Sequence, residues 1–390
     1  MRKKLLSLLT PVLFFGFLAV FFVWALLKPD GAVSLSEGRA LAQKPVNDLS
    51  DLPALIQKYS DYISDQFPLR EEMLRLESAV QIRTKQHYAR NVTVDDEGYL
   101  LPEVYRADPN ERLAIVYALD QQVQTLPEVD FVYAVLPQKN NLLESDAADA
   151  RRSEANRQAL CDDLSQISSL TLLDIGTALT ERYSAPERRA FYYRTDFHWN
   201  ERGAFCAAEQ IAAGMQEAGL LDGVTLPAEG DFEWQELGKT HTYLGDLNRR
   251  FSYQFSTQEE IPFYCLRDTA DLRYYASGDA PAARSSILAG GLAAPELDYG
   301  ALSTENLGYY RVSNPHARSD RRVLILKDSM ENPMTDYFTA LFSEVIVIDP
   351  RSYDEPYALA ELVARYDLDS VLLLYHQNHI SFELGQFLTK

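Results

Sequence analysis

Apolar and polar positions alternate along this chain in two different rhythms, and the change of rhythm predicts the architecture. An uncharged run rich in Leu, Phe and Val extends from Leu5 to Leu27. From Leu49 to about Tyr88 apolar residues recur at helical spacing (Leu52, Leu55, Ile56, Tyr59, Ile63, then Met73, Leu74, Leu76, Val80). Pro68 interrupts them, which predicts two helices. After a turn at residues 95–98 comes a series of short, mainly apolar runs: Phe131–Leu136, Thr171–Ile175, Val323–Leu326, Val345–Ile348 and Val371–Tyr375. Between them lie helix-like stretches at Ala147–Ile167, Ala204–Ala218, Met334–Leu341 and Tyr357–Tyr366. Short apolar strands alternating with helices predict an α/β fold, with a parallel sheet covered by helices on both faces. The alternation fails between Leu220 and Arg321, where scattered aromatics (Phe232, Trp234, Tyr243, Phe251, Tyr253, Phe255) suggest a β-rich insertion flanking the cleft.

These rhythms divide the chain into residues 1–28, a linker at 29–48 with little to pack, a helical region at 49–95, and an α/β domain at 96–390 with its insertion at about 220–321. The basic start, Arg2-Lys3-Lys4, ahead of the apolar run predicts a single transmembrane signal anchor. Its N-terminus is expected to be cytoplasmic and everything beyond Lys28 outside the cell membrane. A cleaved signal peptide is the rival, although its apolar core is normally shorter, ~7–15 residues.

Charge narrows the function. A net charge of −20 argues against a nucleic-acid partner. Three widely spaced cysteines, Cys161, Cys206 and Cys265, suggest neither a disulfide framework nor a thiolate zinc site. No cofactor and no metal is expected.

Chemistry concentrates at Tyr192-Tyr193-Arg194-Thr195-Asp196-Phe197-His198-Trp199-Asn200. A carboxylate beside an imidazole suits activation of a nucleophile, because the imidazole removes the proton and the carboxylate orients it. The apolar strand 323–326 runs through Lys327-Asp328 into Ser329 and a helix-like segment, a strand–turn–helix setting that exposes a serine. The alternative for Ser329 is a helix N-cap. Ser329, Lys139 and His376 each fall just past the carboxyl end of a predicted strand, where sites gather in such sheets. Lys139, His376, Asn378 and His379 are candidates for oxyanion or substrate contacts. Trp199 and Tyr193 could stack on a sugar or wall the core.

The block Tyr192–Trp199 with Gly203-Ala204 resembles the signature of the DHHW family, in the SGNH-hydrolase-like group that includes the alginate O-acetylation proteins. The likeness extends to Asp65-Gln66-Phe67-Pro68-Leu69-Arg70, Leu136-Pro137-Gln138-Lys139, Lys327-Asp328-Ser329 and Leu372-Leu373-Leu374-Tyr375. The resemblance implies an SGNH-like fold in which Ser329 is the nucleophile, His198 the base and Asp196 the orienting carboxylate. It implies an O-acyltransferase, in particular an O-acetyltransferase, acting on a cell-surface or secreted polysaccharide through an acyl-serine. Its partners would be the glycan and an acyl donor delivered by a membrane acyl-exporting protein. Phe197 replaces the first His of the family name, and Lys327 stands where many relatives have Gly, at a possible cost to one oxyanion contact. A carbohydrate esterase with the same three residues, or a catalytically silent envelope scaffold or glycan-binding protein, are the alternatives.

Overall fold

The structure, a computed structural model, describes residues 2–34, 36–37, 39–46, 50–84, 88–143, 148–277, 280–287, 292–302, 307–378 and 381–390. The candidate His379 lies outside the described residues. Two compact units form, Met1–Arg90 with Asn248–Phe255, and Asn91–Leu247 with Ser256–Lys390.

The first unit opens with a helix over Arg2–Leu27. The expected membrane span rests in part on Leu5–Thr10 and Leu26, whose side chains lie outside the described residues. Among the described residues no helix is long and apolar enough to cross a membrane, so the transmembrane helix expected there is not part of the described fold. Helices Leu52–Asp65 and Arg70–Arg83 lie on either side of Pro68. Asp51 caps the former by accepting from the Ala54 N–H at 3.1 Å. The segment expected to be an unpacked linker is tied to them. Asp65 accepts two bonds from the Arg39 guanidinium, at 2.7 and 2.6 Å, and one from the Ala42 N–H at 2.8 Å. Those bonds, the Arg39 bonds foremost, hold the Asp65 carboxyl down at about 2.

The second unit is built on an eight-stranded sheet. Its strands are β1 (Asp130–Leu136), β2 (Leu170–Asp174), β3 (Arg273–Ser277), β4 (Ala280–Ala282), β5 (Tyr309–Ser313), β6 (Ser319–Lys327), β7 (Phe342–Ile348) and β8 (Ser370–His376). Across the sheet the order is β4-β3-β5-β7-β6-β8-β1-β2. The five strands from β7 to β2 are parallel. They are the five apolar runs; β7, β6, β8 and β1 are covered on both faces, while the edge strand β2 is half-buried. Val132, Ala134, Ile325, Val347 and Leu372 pack with the helix Glu201–Glu217 on one side. Phe131, Tyr133, Leu324, Ile346 and Leu373 pack on the other, with the helices Pro109–Thr125, Ala148–Leu164, Leu359–Tyr366 and Phe382–Leu388.

The expected purely parallel sheet is corrected here. Strands β5, β3 and β4 extend it antiparallel beyond β7, so the sheet is mixed. The cause lies in the insertion: a parallel neighbour needs a crossover of a dozen or more residues, usually helical. The described helices between residues 220 and 321 are single turns such as Asp246–Arg249 and Tyr299–Leu302. The rest of the insertion forms small pairs, Phe232–Glu236 with Pro262–Leu266 and Thr242–Tyr243 with Glu296–Leu297.

Candidate active site

The block 192–200 is a loop closed at its neck. Tyr192 and Trp199 form an isolated bridge, and the Asn200 N–H donates to the Phe191 carbonyl at 2.8 Å. Asn200 then caps the helix Glu201–Glu217 through the Gly203 N–H at 3.0 Å. Gly203 is required by close approach, since a Cβ there would lie 2.5 Å from the Phe191 carbonyl oxygen. Within the loop, Asp196 Oδ1 accepts from the His198 backbone N–H at 3.0 Å, an Asx-type turn, and also from His198 Nδ1 at 2.8 Å. That turn solves the difficulty of pairing two side chains only two residues apart. His198 Nε2 faces Ser329 Oγ at 2.9 Å, across 131 residues of sequence.

Both carboxylate oxygens of Asp196 are occupied. Oδ2 accepts from the Asp246 N–H at 2.9 Å and from the Tyr243 hydroxyl at 3.1 Å. Burial alone would raise this carboxyl, but His198 and the surrounding hydrogen bonds outweigh it and bring it to about 2. Asp196 is therefore ionised at neutral pH. An acceptor on that side leaves the proton on Nδ1 and the lone pair on Nε2, turned toward the serine. The Tyr243 hydroxyl is pushed well above its usual range, by burial first and then by Asp196, and stays a donor.

A further set of hydrogen bonds holds the loop. The Lys139 ammonium, fully buried, donates to the carbonyls of Leu100 (2.8 Å), Tyr193 (2.7 Å), Arg194 (3.0 Å) and Asp196 (2.7 Å). Burial pushes it down to about 7, while Glu259, Asp196 and Asp95 pull it back up. The Glu259 carboxylate accepts from the Arg194 and Thr195 N–H groups and the Thr195 hydroxyl. Gly245 passes so close that a Cβ would meet the Thr195 carbonyl oxygen at 2.2 Å. Tyr299 lines the imidazole and bonds the Ser329 carbonyl.

The serine sits at the start of a 3-10 segment, Ser329–Met334, that follows β6. Asp328 fixes this turn: its Oδ1 accepts from the Met330 N–H at 2.9 Å and its Oδ2 from the His376 N–H at 2.7 Å. Asp328, not Ser329, is thus the N-cap. The buried Lys327 sends its ammonium to Asn332 Oδ1 in the same segment.

The other candidates fall in different places. Trp199 is fully buried and donates from Nε1 to the Met330 carbonyl at 2.8 Å, which ties the two halves of the site and leaves no face for a sugar. Tyr193 is also buried; its hydroxyl donates to Glu201, and its ring stacks on Tyr243. Lys139 has its bonds filled by carbonyls and cannot serve substrate. His376 takes part through its backbone N–H. Asn378 is engaged with Gln138, Ser153 and Asn156, in a separate cluster. Sequence reasoning passed over Tyr243, Asp246, Glu259 and Tyr299, for which the only signal was the run of aromatics in the insertion. Among the described residues no group of His, Cys, Asp and Glu could hold a metal ion.

With this geometry in view, the comparisons are specific. Residues 95–275 match the family described as "SGNH hydrolase-like domain, acetyltransferase AlgX". That stretch is a little under half of the chain. It takes in Asp196 and His198 and ends before Ser329. Over 198 residues the chain is 25% identical to "Probable alginate O-acetylase AlgJ" of Pseudomonas aeruginosa, covering 50% of this chain and 49% of the other. The chain spans about half the length of that curated relative. Among solved structures, PatB1 of Bacillus cereus with a sulfonyl adduct superposes with TM-score 0.66 at 19% identity, covering 76% of this chain and 98% of that one. A DHHW family protein of Eubacterium siraeum gives TM-score 0.57 at 15% identity, covering 77% and 96%. At such identities the structural likenesses speak for the fold, and they agree with the resemblance carried by the Asp-x-His-Trp block.

Proposed function

We propose that this chain is an O-acyltransferase, specifically an O-acetyltransferase, that modifies a cell-surface or secreted polysaccharide through an acyl-Ser329 intermediate. One observation carries the reading: the hydrogen-bond chain from Asp196 through both nitrogens of His198 to Ser329 Oγ. His198 Nε2 takes the Ser329 proton as Oγ adds to the acyl carbonyl of the donor. The tetrahedral oxyanion collapses, the leaving oxygen receives the proton from His198, and the acyl group stays on Ser329. A sugar hydroxyl then gives its proton to His198, attacks the acyl-serine and leaves as the ester, and the proton returns to Oγ. Asp196 remains ionised throughout and stabilises the imidazolium. In related turns the residue after the serine donates to the oxyanion. Here the Met330 N–H is committed to Asp328, so the Ser329 N–H itself is the backbone donor assigned to that task.

A polysaccharide acceptor is supported by the likeness to the probable alginate O-acetylase AlgJ. An extracytoplasmic domain attached to the membrane through the helix Arg2–Leu27, and a membrane partner that supplies acyl groups, complete the reading. The attachment is supported by the basic start followed by the uncharged run, together with exposed apolar side chains such as Phe14, Phe15 and Phe22. Intact-mass spectrometry after incubation with an activated acetyl ester tests the chemistry. One acetyl group should appear on the wild-type protein and be absent from Ser329→Ala. Transfer to added oligosaccharide supports acyl transfer, release to water alone supports an esterase, and an unmodified wild-type protein overturns both.

A further inference from the structure

The block Asp65-Gln66-Phe67-Pro68-Leu69-Arg70 carries part of the family resemblance, yet the acyl chemistry makes no use of it. It forms the turn between the helices Leu52–Asp65 and Arg70–Arg83 in the first compact unit. Its polar residues point inward and are bonded. Gln66 is buried; its Oε1 accepts from the Gly31 N–H at 2.8 Å, and its Nε2 donates to the Gly31 and Ala42 carbonyls at 3.0 Å each. Asp65 holds Arg39 and the Ala42 N–H, and Arg70 donates to Glu37 at 2.8 Å. Gly31 lies just past the end of the helix Arg2–Leu27, so these bonds clamp the chain leaving that helix onto the turn.

The apolar residues of the block do the opposite. Phe67 and Leu69 are 38% and 39% exposed, on either side of the buried Pro68. Ile63 and Met73, one helical turn before and after them, are exposed as well. Leu69 has φ of 60°, the left-handed region that a bulky side chain rarely adopts. A strained turn that buries its polar groups and exposes its apolar ones inverts the arrangement that water selects.

The neighbour of this tip indicates what covers it. Phe67 stacks on Phe21 of the N-terminal helix, with ring centroids 5.7 Å apart and planes at 17°. Val12, Leu13, Phe14 and Phe15 of that helix are each more than half exposed. At 3.6 residues per turn four successive residues point to every side, so this stretch has no polar face to offer water. Phe21 lies six residues before Leu27, about 9 Å of rise, and Lys28 is the first charge after the apolar run. We propose that Phe67 and Leu69 form a wedge that enters the headgroup–acyl boundary of a lipid bilayer beside the N-terminal helix. Interfacial apolar side chains sit about 5–10 Å into that boundary, which matches the level of Phe21 below Lys28. The proposal rests on the reading that this helix attaches the chain to a membrane. Its consequence is a first unit seated on the bilayer by a second contact instead of hanging from the helix alone.

Photo-crosslinking of the full chain in phosphatidylcholine–phosphatidylglycerol vesicles tests the wedge. Benzoylphenylalanine replaces Phe15, Leu52, Phe67 or Leu69, one position at a time, and lipid adducts are read by peptide mass. Phe15 reports on the helix alone. Leu52 is exposed at the far end of its own helix, about 20 Å of rise from Asp65, and reports on non-specific capture. Positions 67 and 69 should capture lipid at least tenfold more than position 52, and within about threefold of position 15. Capture at position 15 without capture at 67 and 69 overturns the wedge and leaves the membrane attachment standing. Capture at none of these positions overturns both. Equal capture at position 52, or crosslinks from 67 and 69 to protein in place of lipid, overturns the wedge. Acylation of Ser329 is read separately by mass, so either result stands without the other.

Discussion

Tyr299 lies flat against the His198 imidazole, with ring centroids 3.8 Å apart and planes within 8°, and its hydroxyl donates to the Ser329 carbonyl at 2.9 Å. One residue of the insertion thus fixes both the base and the backbone of the nucleophile. Tyr299→Phe keeps the stacked ring and should cost less than about fivefold in acyl transfer. Tyr299→Ala should cost about 10–100-fold, each factor of ten being about 1.4 kcal/mol of barrier. Steady-state kinetics with a chromogenic acetyl ester distinguishes them, and equal losses would mean that the hydroxyl, not the ring, matters.

Ser329→Ala and His198→Ala act on one unit of chemistry. Each should lower acyl-enzyme formation by at least ~10³-fold, and the double variant should be little worse than either. Single-turnover rates measure this; additive losses would separate the two residues mechanistically.

The Lys139 ammonium is the common partner of four carbonyls, three of them buried. Lys139→Met removes the donor and leaves acceptors unmet, at about 1–3 kcal/mol for each one that cannot reach water. Its thermal midpoint should fall by on the order of 5–10 °C. A calorimetric scan checks this, and an unshifted midpoint would remove Lys139 from the scaffold of the loop.

Acid should undo the Asp196 pairing in a defined window. The folded carboxyl titrates at about 2, below its ordinary 3.8. Its contribution is therefore complete above 3.8 and disappears as pH falls through 2. The stability difference between wild type and Asp196→Asn should shrink by roughly 2 kcal/mol between pH 6 and pH 2. Urea unfolding across that range measures it, and a gap independent of pH would place the titration elsewhere.

How much of this was legible in the sequence follows from the range of the forces involved. The five parallel strands could be read because burial on both faces demands unbroken apolar runs such as Val323–Leu326. Asp196, His198 and Ser329 could be named because a reactive pair and a post-strand serine leave local marks. The helix Pro109–Thr125 was passed over, although Asp108 caps it and Pro109 opens it. Its buried residues, Ile115, Val116, Ala118, Leu119 and Val123, share one face, but the exposed Leu113 and Tyr117 blur that stripe in the sequence. Tyr299, Glu259 and Tyr243 left no mark beyond the run of aromatics in the insertion. Their roles arise from contacts across tens of residues, and Lys139 looked like a substrate ligand until its four carbonyl partners were visible.

The loop bearing Asp196 and His198 is held by Leu100, Lys139, Tyr243, Asp246 and Glu259, and it meets its serine across 131 residues. Such closures come late, because long-range contacts must first overcome loop entropy. Until β6 is seated between β7 and β8, the hydroxyl of residue 329 is an ordinary alcohol with no base beside it. On the proposed chemistry, Ser329 of a growing or misfolded chain would react with an acyl donor no faster than any other serine. If that chemistry holds, acylation of Ser329 becomes a certificate of completed folding, readable by mass on a single residue.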